Sequence, residues 1–206
     1  MTTKMRLLCI VALITFALPV FAQQVNDAYQ VAYFSQSGIV TVGDTAKLAV
    51  INTGQIGSPI DPTTREGTVC ADFYVFDTNQ EMVECCSCPI TANGLLRLSV
   101  PLSLLDNPLT GGFAPTRGVI KIVADAGCNE QTITTPVPGG LRAFISNPQF
   151  GSGERLDFLG TVEEQFAPVP LQAAERAFLG QACSFVQYLG SGRGLCQCNG
   201  GRLQLP

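Results

Sequence analysis

The chain has 206 residues, of which 12 are basic and 16 acidic, and it contains neither histidine nor tryptophan. Without histidine it cannot form a Ser-His-Asp or Cys-His nucleophile system or a histidine-ligated catalytic metal centre. Its weakly acidic charge, with no basic runs, is not the pattern of a protein that binds nucleic acid or an anionic membrane surface.

The first 22 residues have the pattern of a secretory signal peptide. Lys4 and Arg6 precede the apolar run 7–18, and residues 20–22 offer the small-residue pattern of a cleavage site. A retained membrane anchor is the alternative, but Pro19 interrupts the run, which is short for a span of about 20 residues. We therefore predict a secreted or periplasmic protein with no membrane span after cleavage. Subtracting Lys4 and Arg6 from the 12 basic residues leaves 10 against 16 acidic ones in the mature chain.

After the leader, short apolar segments alternate with turn signals at intervals typical of an all-β protein. Ala46, Leu48 and Val50, for example, fall on one face at a period of two. Val69 to Phe76 is the most strand-like segment, and we predict that it is central in its sheet. The predicted strands are 30–42 (as one or two strands), 45–51, 69–76, 81–90, 95–102, 118–124 and 141–146.

Turn residues indicate how some of these strands connect. Residues 77–80 predict a tight connection, and Asn93-Gly94 predicts a two-residue hairpin turn because it supplies positive φ values. The three strands from residue 69 to residue 102 would then form a meander. Seven strands with this spacing and no long helix match an immunoglobulin-like antiparallel β-sandwich over residues 23–150.

Residues 151–206 predict one strand, a helix and a cysteine-containing tail, all packed on the sandwich. The strand is expected at 155–161, and the amphipathic helix at 171–189 with Pro170 in its first turn and Gly190-Ser191-Gly192 at its end. Apolar residues recur at spacings of three and four, and we predict that this stripe docks on the sandwich. It comprises Leu171, Ala174, Phe178, Ala182, Phe185 and Leu189.

The run "TVGDTAKLAVINTG", followed by a loop and "CADFYVFD", resembles the opening strands of bacterial extracellular immunoglobulin-like domains. The whole chain is also similar to exported bacterial proteins of unassigned function. The likeness covers about a third of the mature chain, and it implies an extracellular adhesive or assembly role. Fold analogy by itself assigns no activity.

Eight cysteines follow the leader, and an even number in an exported protein predicts disulfides. Cys85 and Cys86 should point to opposite faces of their strand, whereas Cys86 and Cys88 should share a face. We expect Cys183 to bond to one of the two tail cysteines. The dense "CCSC" and "CQC" tracts leave a thiolate site for zinc or copper(I) as the alternative. The disulfide candidates are Cys70, Cys85, Cys86, Cys88, Cys128, Cys183, Cys196 and Cys198.

A hydrolase that uses paired carboxylates needs no histidine, so acidic residues are the remaining catalytic candidates. The candidates are Asp72, Asp77, Glu81, Glu84, Glu163 and Glu164. Asp77 more often caps a turn, and Glu163-Glu164 is typical of a solvated edge. Asp77, Asn79 and Glu81 weakly resemble a calcium loop but lack the glycine and the distal glutamate of the EF-hand pattern.

These observations favour a non-enzymatic structural or interaction protein of the cell envelope or extracellular matrix, with no cofactor, no metal and no catalytic residue. Its partner would be another protein or an envelope surface, or a second copy joined through strand edges. Thiolate metal binding is the alternative function, and a carboxylate-dependent hydrolase is less favoured.

Overall fold

The protein is mainly β, as its composition predicts. The computed structural model describes residues 28–36, 45–57, 66–105, 115–151, 158–189 and Cys198. The strands are β1 (Tyr29–Ser35), β2 (Lys47–Asn52), β3 (Val69–Phe76), β4 (Met82–Ile90), β5 (Leu95–Ser99), β6 (Arg117–Asp125), β7 (Leu141–Phe150), β8 (Phe158–Gln165) and β9 (Ala167–Val169). A π-helical turn, Val100–Leu104, follows β5, and one α-helix, α1 (Ala173–Tyr188), follows β9.

The strands form two antiparallel sheets. The five-stranded sheet has the order β4-β3-β6-β1-β9, and the four-stranded sheet has the order β5-β2-β7-β8. Every pairing within them is antiparallel. Strand β9, which contains Pro168, is not among the strands that the sequence predicts. A proline is tolerated in this position because β9 is the edge strand beside β1.

One apolar cluster contains side chains from both sheets. Alternate residues of β3, such as Phe73 and Val75, join Leu48 and Ile145 of the four-stranded sheet in this cluster. Gln30 also links the sheets, since its Nε2 donates to the Leu141 carbonyl at 2.8 Å and its Oε1 accepts from the Ala143 amide at 3.3 Å. The buried amide therefore satisfies its polar atoms with backbone groups of β7.

Strand β3 is buried along all eight residues, and it lies between β4 and β6. One face contributes to the shared cluster, while Tyr74 and Phe76 on the other face pack with Leu179 and Cys183 of α1. Covering on both faces explains why this segment is an almost continuous apolar run. The prediction of a central strand over Val69 to Phe76 is confirmed.

Helix α1 docks through a different stripe from the one that the periodicity predicts. Its buried residues are Leu179, Gly180, Cys183 and Val186, whereas Phe178 and Phe185 are 48% and 63% exposed. Gly180 permits close approach, because a Cβ there would lie 2.4 Å from the Gln131 carbonyl oxygen. The docked face is thus offset by one residue, about 100° around the helix.

The Asn93-Gly94 turn joins two sheets and does not form a hairpin. Only Asn93 has a positive φ, 58°, whereas a type I′ hairpin turn needs positive φ at both central residues. The Gly94 amide donates to the Thr91 carbonyl at 2.8 Å, which closes a turn between β4 and β5. These strands lie in different sheets, so the predicted meander is wrong.

Several other predictions concern the ends of elements. Pro170 precedes the helix N-cap, Gln172, and is not in the first turn as expected. The last predicted strand begins at Phe158 and continues to Gln165, so it lies further along the chain than 155–161. The leader 1–22, the Gly43-Asp44 turn and Gly190-Ser191-Gly192 lie outside the described residues. Of the helices in the described parts of the chain, none is both long and apolar enough to cross a membrane.

Candidate functional site

Strand β4 presents its cysteines to both faces of the five-stranded sheet. Cys85 packs with Tyr74 and Leu179 beneath α1, while Cys86 and Cys88 belong to the cluster shared by the two sheets. The pleat of the strand causes this separation, because successive side chains point to opposite faces. The face assignments expected from the sequence are confirmed.

The cysteines join distant parts of the chain. The bonds are Cys70–Cys128, Cys85–Cys183 and Cys88–Cys198, with Cα–Cα distances of 5.1, 5.6 and 5.4 Å. Cys86 is also disulfide-bonded, and Cys196 lies outside the described residues. The predicted bond from the helix to the tail is wrong, because Cys183 faces β4 and reaches Cys85.

Sulfur atoms in disulfides are not thiolates, so these seven cysteines do not provide the ligands of the alternative zinc or copper(I) site. In the part of the chain that the structure describes, no group of three or more Cys, Asp or Glu side chains is arranged to hold a metal ion. Disulfides of this number are typical of proteins that fold in an oxidising compartment.

Two of the candidate carboxylates, Asp72 and Glu84, are buried on opposite faces of the β3–β4 pair. Asp72 pairs with Ser87 and accepts a 2.5 Å hydrogen bond from its hydroxyl, whereas Glu84 pairs with Val75, on the face of the shared cluster. A bulge in this pairing lies between Val75 and Phe76. Counting alternate residues from Met82 would therefore put Glu84 on the same face as Met82, whereas the bulge moves it to the opposite face.

Burial raises the pKa of each of these two carboxyls to about 8. For Asp72, the hydrogen bond from Ser87 opposes the effect of burial, and the negative charges of Asp125 and Glu130 add to it. For Glu84, only the amide of Cys85 opposes it, at 3.2 Å from Oε1. Among the described residues, Asp72 Oδ2 and Glu84 Oε2 have no hydrogen-bond partner. Both groups therefore favour the protonated form at neutral pH.

The other candidate carboxylates lie elsewhere. Asp77 caps the β3–β4 turn, where its Oδ1 accepts from the amides of Asn79 at 2.8 Å and Glu81 at 3.0 Å. Glu163 and Glu164 are exposed on β8 in the other sheet. The structure thus places the six candidates at four separate positions, and the residues of the calcium-like pattern form a capped turn.

A partly buried polar contact that sequence reasoning missed connects α1 to the five-stranded sheet. Glu175 Oε1 accepts hydrogen bonds from Lys121 Nζ at 2.6 Å and from the Tyr29 hydroxyl at 2.8 Å. Partial burial would raise the pKa of Glu175, but the hydrogen bonds from Lys121 and Tyr29 lower it overall. The Lys121 ammonium also lies 4.6 Å from the centre of the Phe76 ring. These contacts fix the start of the helix, and no sequence spacing connects residues so far apart.

Strand β8 is the most exposed of the strands longer than three residues. None of its eight residues is buried, and Phe158, Leu159 and Val162 are 46%, 70% and 45% exposed. It pairs with β7 along one edge, and no described strand pairs with its other edge. An unpaired edge of this length is a template for another strand.

No protein family, curated protein or solved structure matches the chain.

Proposed function

We propose that this protein is an exported, non-enzymatic structural or interaction protein that assembles through the free edge of β8. The observation that carries the proposal is the exposure of this strand, which keeps three large apolar side chains in solvent beside an unpaired backbone edge. Natural sheets commonly protect such edges with charged side chains, proline, bulges or a covering segment. Strand β8 reads "FLGTVEEQ" and has two glutamates and a bulge at Leu159, but it contains neither lysine nor proline.

The proposed scaffold is an immunoglobulin-like sandwich of the two sheets. Support comes from the apolar cluster that contains residues of both sheets and from the Gln30 hydrogen bonds to β7. The disulfides support a secreted or periplasmic location, because an oxidising compartment allows them to persist. A rigid, disulfide-bonded scaffold suits a role in assembly, since it holds the edge strand ready for pairing.

The partner that fits the β8 edge is a second copy of the chain. An antiparallel pairing of two β8 strands about a two-fold axis at Thr161 places Glu163 opposite Leu159, the residue at the bulge of β8. No carboxylate then faces another carboxylate, and exposed apolar side chains lie beside the stems of the glutamates. Such an interface is self-complementary and closed, so it forms a dimer and not a filament.

We expect the substitution Leu159→Glu to weaken this dimer. A glutamate at this position in each copy would lie opposite Glu163 of the other copy, and like charges directly opposite each other destabilise paired strands. The dissociation constant should rise at least about tenfold, which corresponds to about 1.4 kcal/mol. Light scattering coupled to size exclusion, over a range of concentrations, measures this change.

The matched control is Phe185→Glu on α1, which changes a similarly exposed apolar side chain, 63% against 70%. It should leave the dissociation constant unchanged. A wild-type protein that is monomeric at every concentration would contradict self-assembly. A dimer that resists Leu159→Glu but dissociates with Phe185→Glu would place the interface on the helix and refute the role of β8.

A further inference from the structure

The outer face of the four-stranded sheet contains a cleft of about 370 Å³, near the lower end of the range of small-molecule sites. The strand register places Ser99, Lys47, Ser146 and Glu163 in one row across β5, β2, β7 and β8. Arg97 lies in the next row, opposite Ala49. The small side chain of Ala49 leaves the space that these longer side chains surround.

The two ends of this cleft have opposite charges. Lys47 and Arg97 lie on β2 and β5, whereas Glu163 lies on β8, separated from β2 by one strand. Strand spacing puts the backbones of Lys47 and Glu163 roughly 10 Å apart. Among the described residues, the side chains that form an ion pair are Lys121 and Glu175. Within that part of the chain, Lys47 and Arg97 therefore have no carboxylate at ion-pair distance.

The polar groups between these ends are hydroxyls. Ser99 and Ser146 both line the cleft, and the Ser146 hydroxyl lies 3.4 Å from Glu163 Oε2. A serine hydroxyl both donates and accepts, and an ionised glutamate only accepts. This end of the cleft therefore suits a ligand with hydroxyl donors, while a lysine and an arginine suit a carboxylate.

We propose that this cleft binds an acidic saccharide, with the carboxylate of a sugar ring at Lys47 and Arg97 and ring hydroxyls at Ser146 and Glu163. A simple anion such as phosphate would use only the cationic end and would be repelled by Glu163. A polyglutamate peptide would donate backbone amides and not hydroxyls to Glu163, whereas a sugar acid offers a carboxylate and ring hydroxyls in one ligand. Of the residues that line the cleft, only Glu163 lies on β8, and the cationic end on β2 and β5 is separate from the free edge of that strand.

The test is calorimetric titration of the full mature protein with trigalacturonic acid. Maltotriose serves as the neutral saccharide, and triglutamate and inorganic phosphate as the anions without sugar hydroxyls. Trigalacturonic acid should bind at least tenfold more tightly than each of these three. No binding, or equal binding of maltotriose, triglutamate or phosphate, would overturn the proposal.

Three variants locate the site. Arg97→Gln should weaken trigalacturonate binding at least tenfold, and Arg176→Gln, which removes an exposed arginine from α1, should leave it unchanged. Glu163→Gln should weaken trigalacturonate but strengthen phosphate, because it replaces one acceptor oxygen with a donor NH2 group and removes the charge that repels phosphate. If Arg97→Gln and Arg176→Gln have equal effects, binding depends on net charge and the proposal fails. Equal circular dichroism spectra of the variants show that the fold is retained.

Discussion

Replacing both cysteines of the Cys70–Cys128 bond with alanine should lower the free energy of unfolding by about 4 kcal/mol. The same change at Cys85–Cys183 should cost less, about 3 kcal/mol, although its cysteines are 98 residues apart and the first pair only 58. The bond with the larger sequence separation should therefore have the smaller effect on the free energy of unfolding. The reason is that a neighbouring disulfide already restricts much of the loop that Cys85–Cys183 closes.

The duplication arises from Cys88–Cys198, which joins nearly the same two regions of the chain as Cys85–Cys183. In the unfolded chain, the additional loop that Cys85–Cys183 closes therefore contains only roughly 15–20 residues, and the chain-entropy effect scales with the logarithm of that length. No described bond shortens the Cys70–Cys128 loop in the same way.

Urea unfolding followed by circular dichroism measures both costs, with thiol alkylation to show that the remaining bonds stay oxidised. The two double-alanine variants are matched controls for each other. A larger loss from removing Cys85–Cys183 would show that the docking of α1, and not the entropy of the unfolded chain, dominates the contribution of that bond.

The effect of the substitution Glu84→Gln on the free energy of unfolding should be more favourable at pH 7 than at pH 4. The pKa of Glu84 is about 8 in the folded protein, against an ordinary value of 4.5. Below pH 4.5 the carboxyl is protonated in both states, so it contributes nothing to the pH dependence. Between pH 4.5 and pH 8 the unfolded chain loses this proton while the folded protein keeps it, so stability falls by about 1.4 kcal/mol per pH unit.

Glutamine is neutral at every pH and does not have this penalty. The effect of Glu84→Gln on the free energy of unfolding should therefore be about 3 kcal/mol more favourable at pH 7 than at pH 4. Taking the difference between the two pH values removes the constant cost of burying an amide. Urea unfolding at both pH values gives the four free energies that are needed.

The control for this experiment is Glu81→Gln, which changes an exposed glutamate in the turn before β4. Measured at both pH values, it gives the background difference that a Glu→Gln change at the surface produces. A difference for Glu84→Gln no larger than this background would mean that the buried carboxyl is ionised in the folded protein and that a neighbouring group compensates its charge.

The strands that were predicted well have patterns that do not depend on distant contacts. Val69 to Phe76 combines apolar and aromatic residues on both faces, and the predicted and observed limits coincide. Cys85 and Cys86 were assigned to opposite faces because the pleat fixes their directions whatever lies above and below. The capping role of Asp77 can also be predicted from the sequence, since its hydrogen-bond partners are within four residues.

The candidate surfaces can be predicted from the sequence only in general terms. The sequence suggested that strand edges are used, but it did not distinguish β8 from the other edge strands, which depends on the order of strands in the sheets. The outer cleft unites residues of β2, β5, β7 and β8 that no local pattern connects. Lys47, Arg97 and Glu163 gave no signal as a group for that reason.

The sequence by itself determined the β-rich fold, most of the strands, the helix and the tendency of the cysteines to form disulfides, because pleat, helical period and turn chemistry act over a few residues. Only the tertiary structure decided which cysteines bond, which face of α1 docks, and that the Asn93-Gly94 turn changes sheets. These features depend on which distant surfaces meet. Cys183 pairs with Cys85 and not with the tail cysteines, which are nearer in the sequence, because Leu179 and Cys183 lie on the face of α1 that packs on the five-stranded sheet. That orientation depends on Gly180 and the Glu175 contacts.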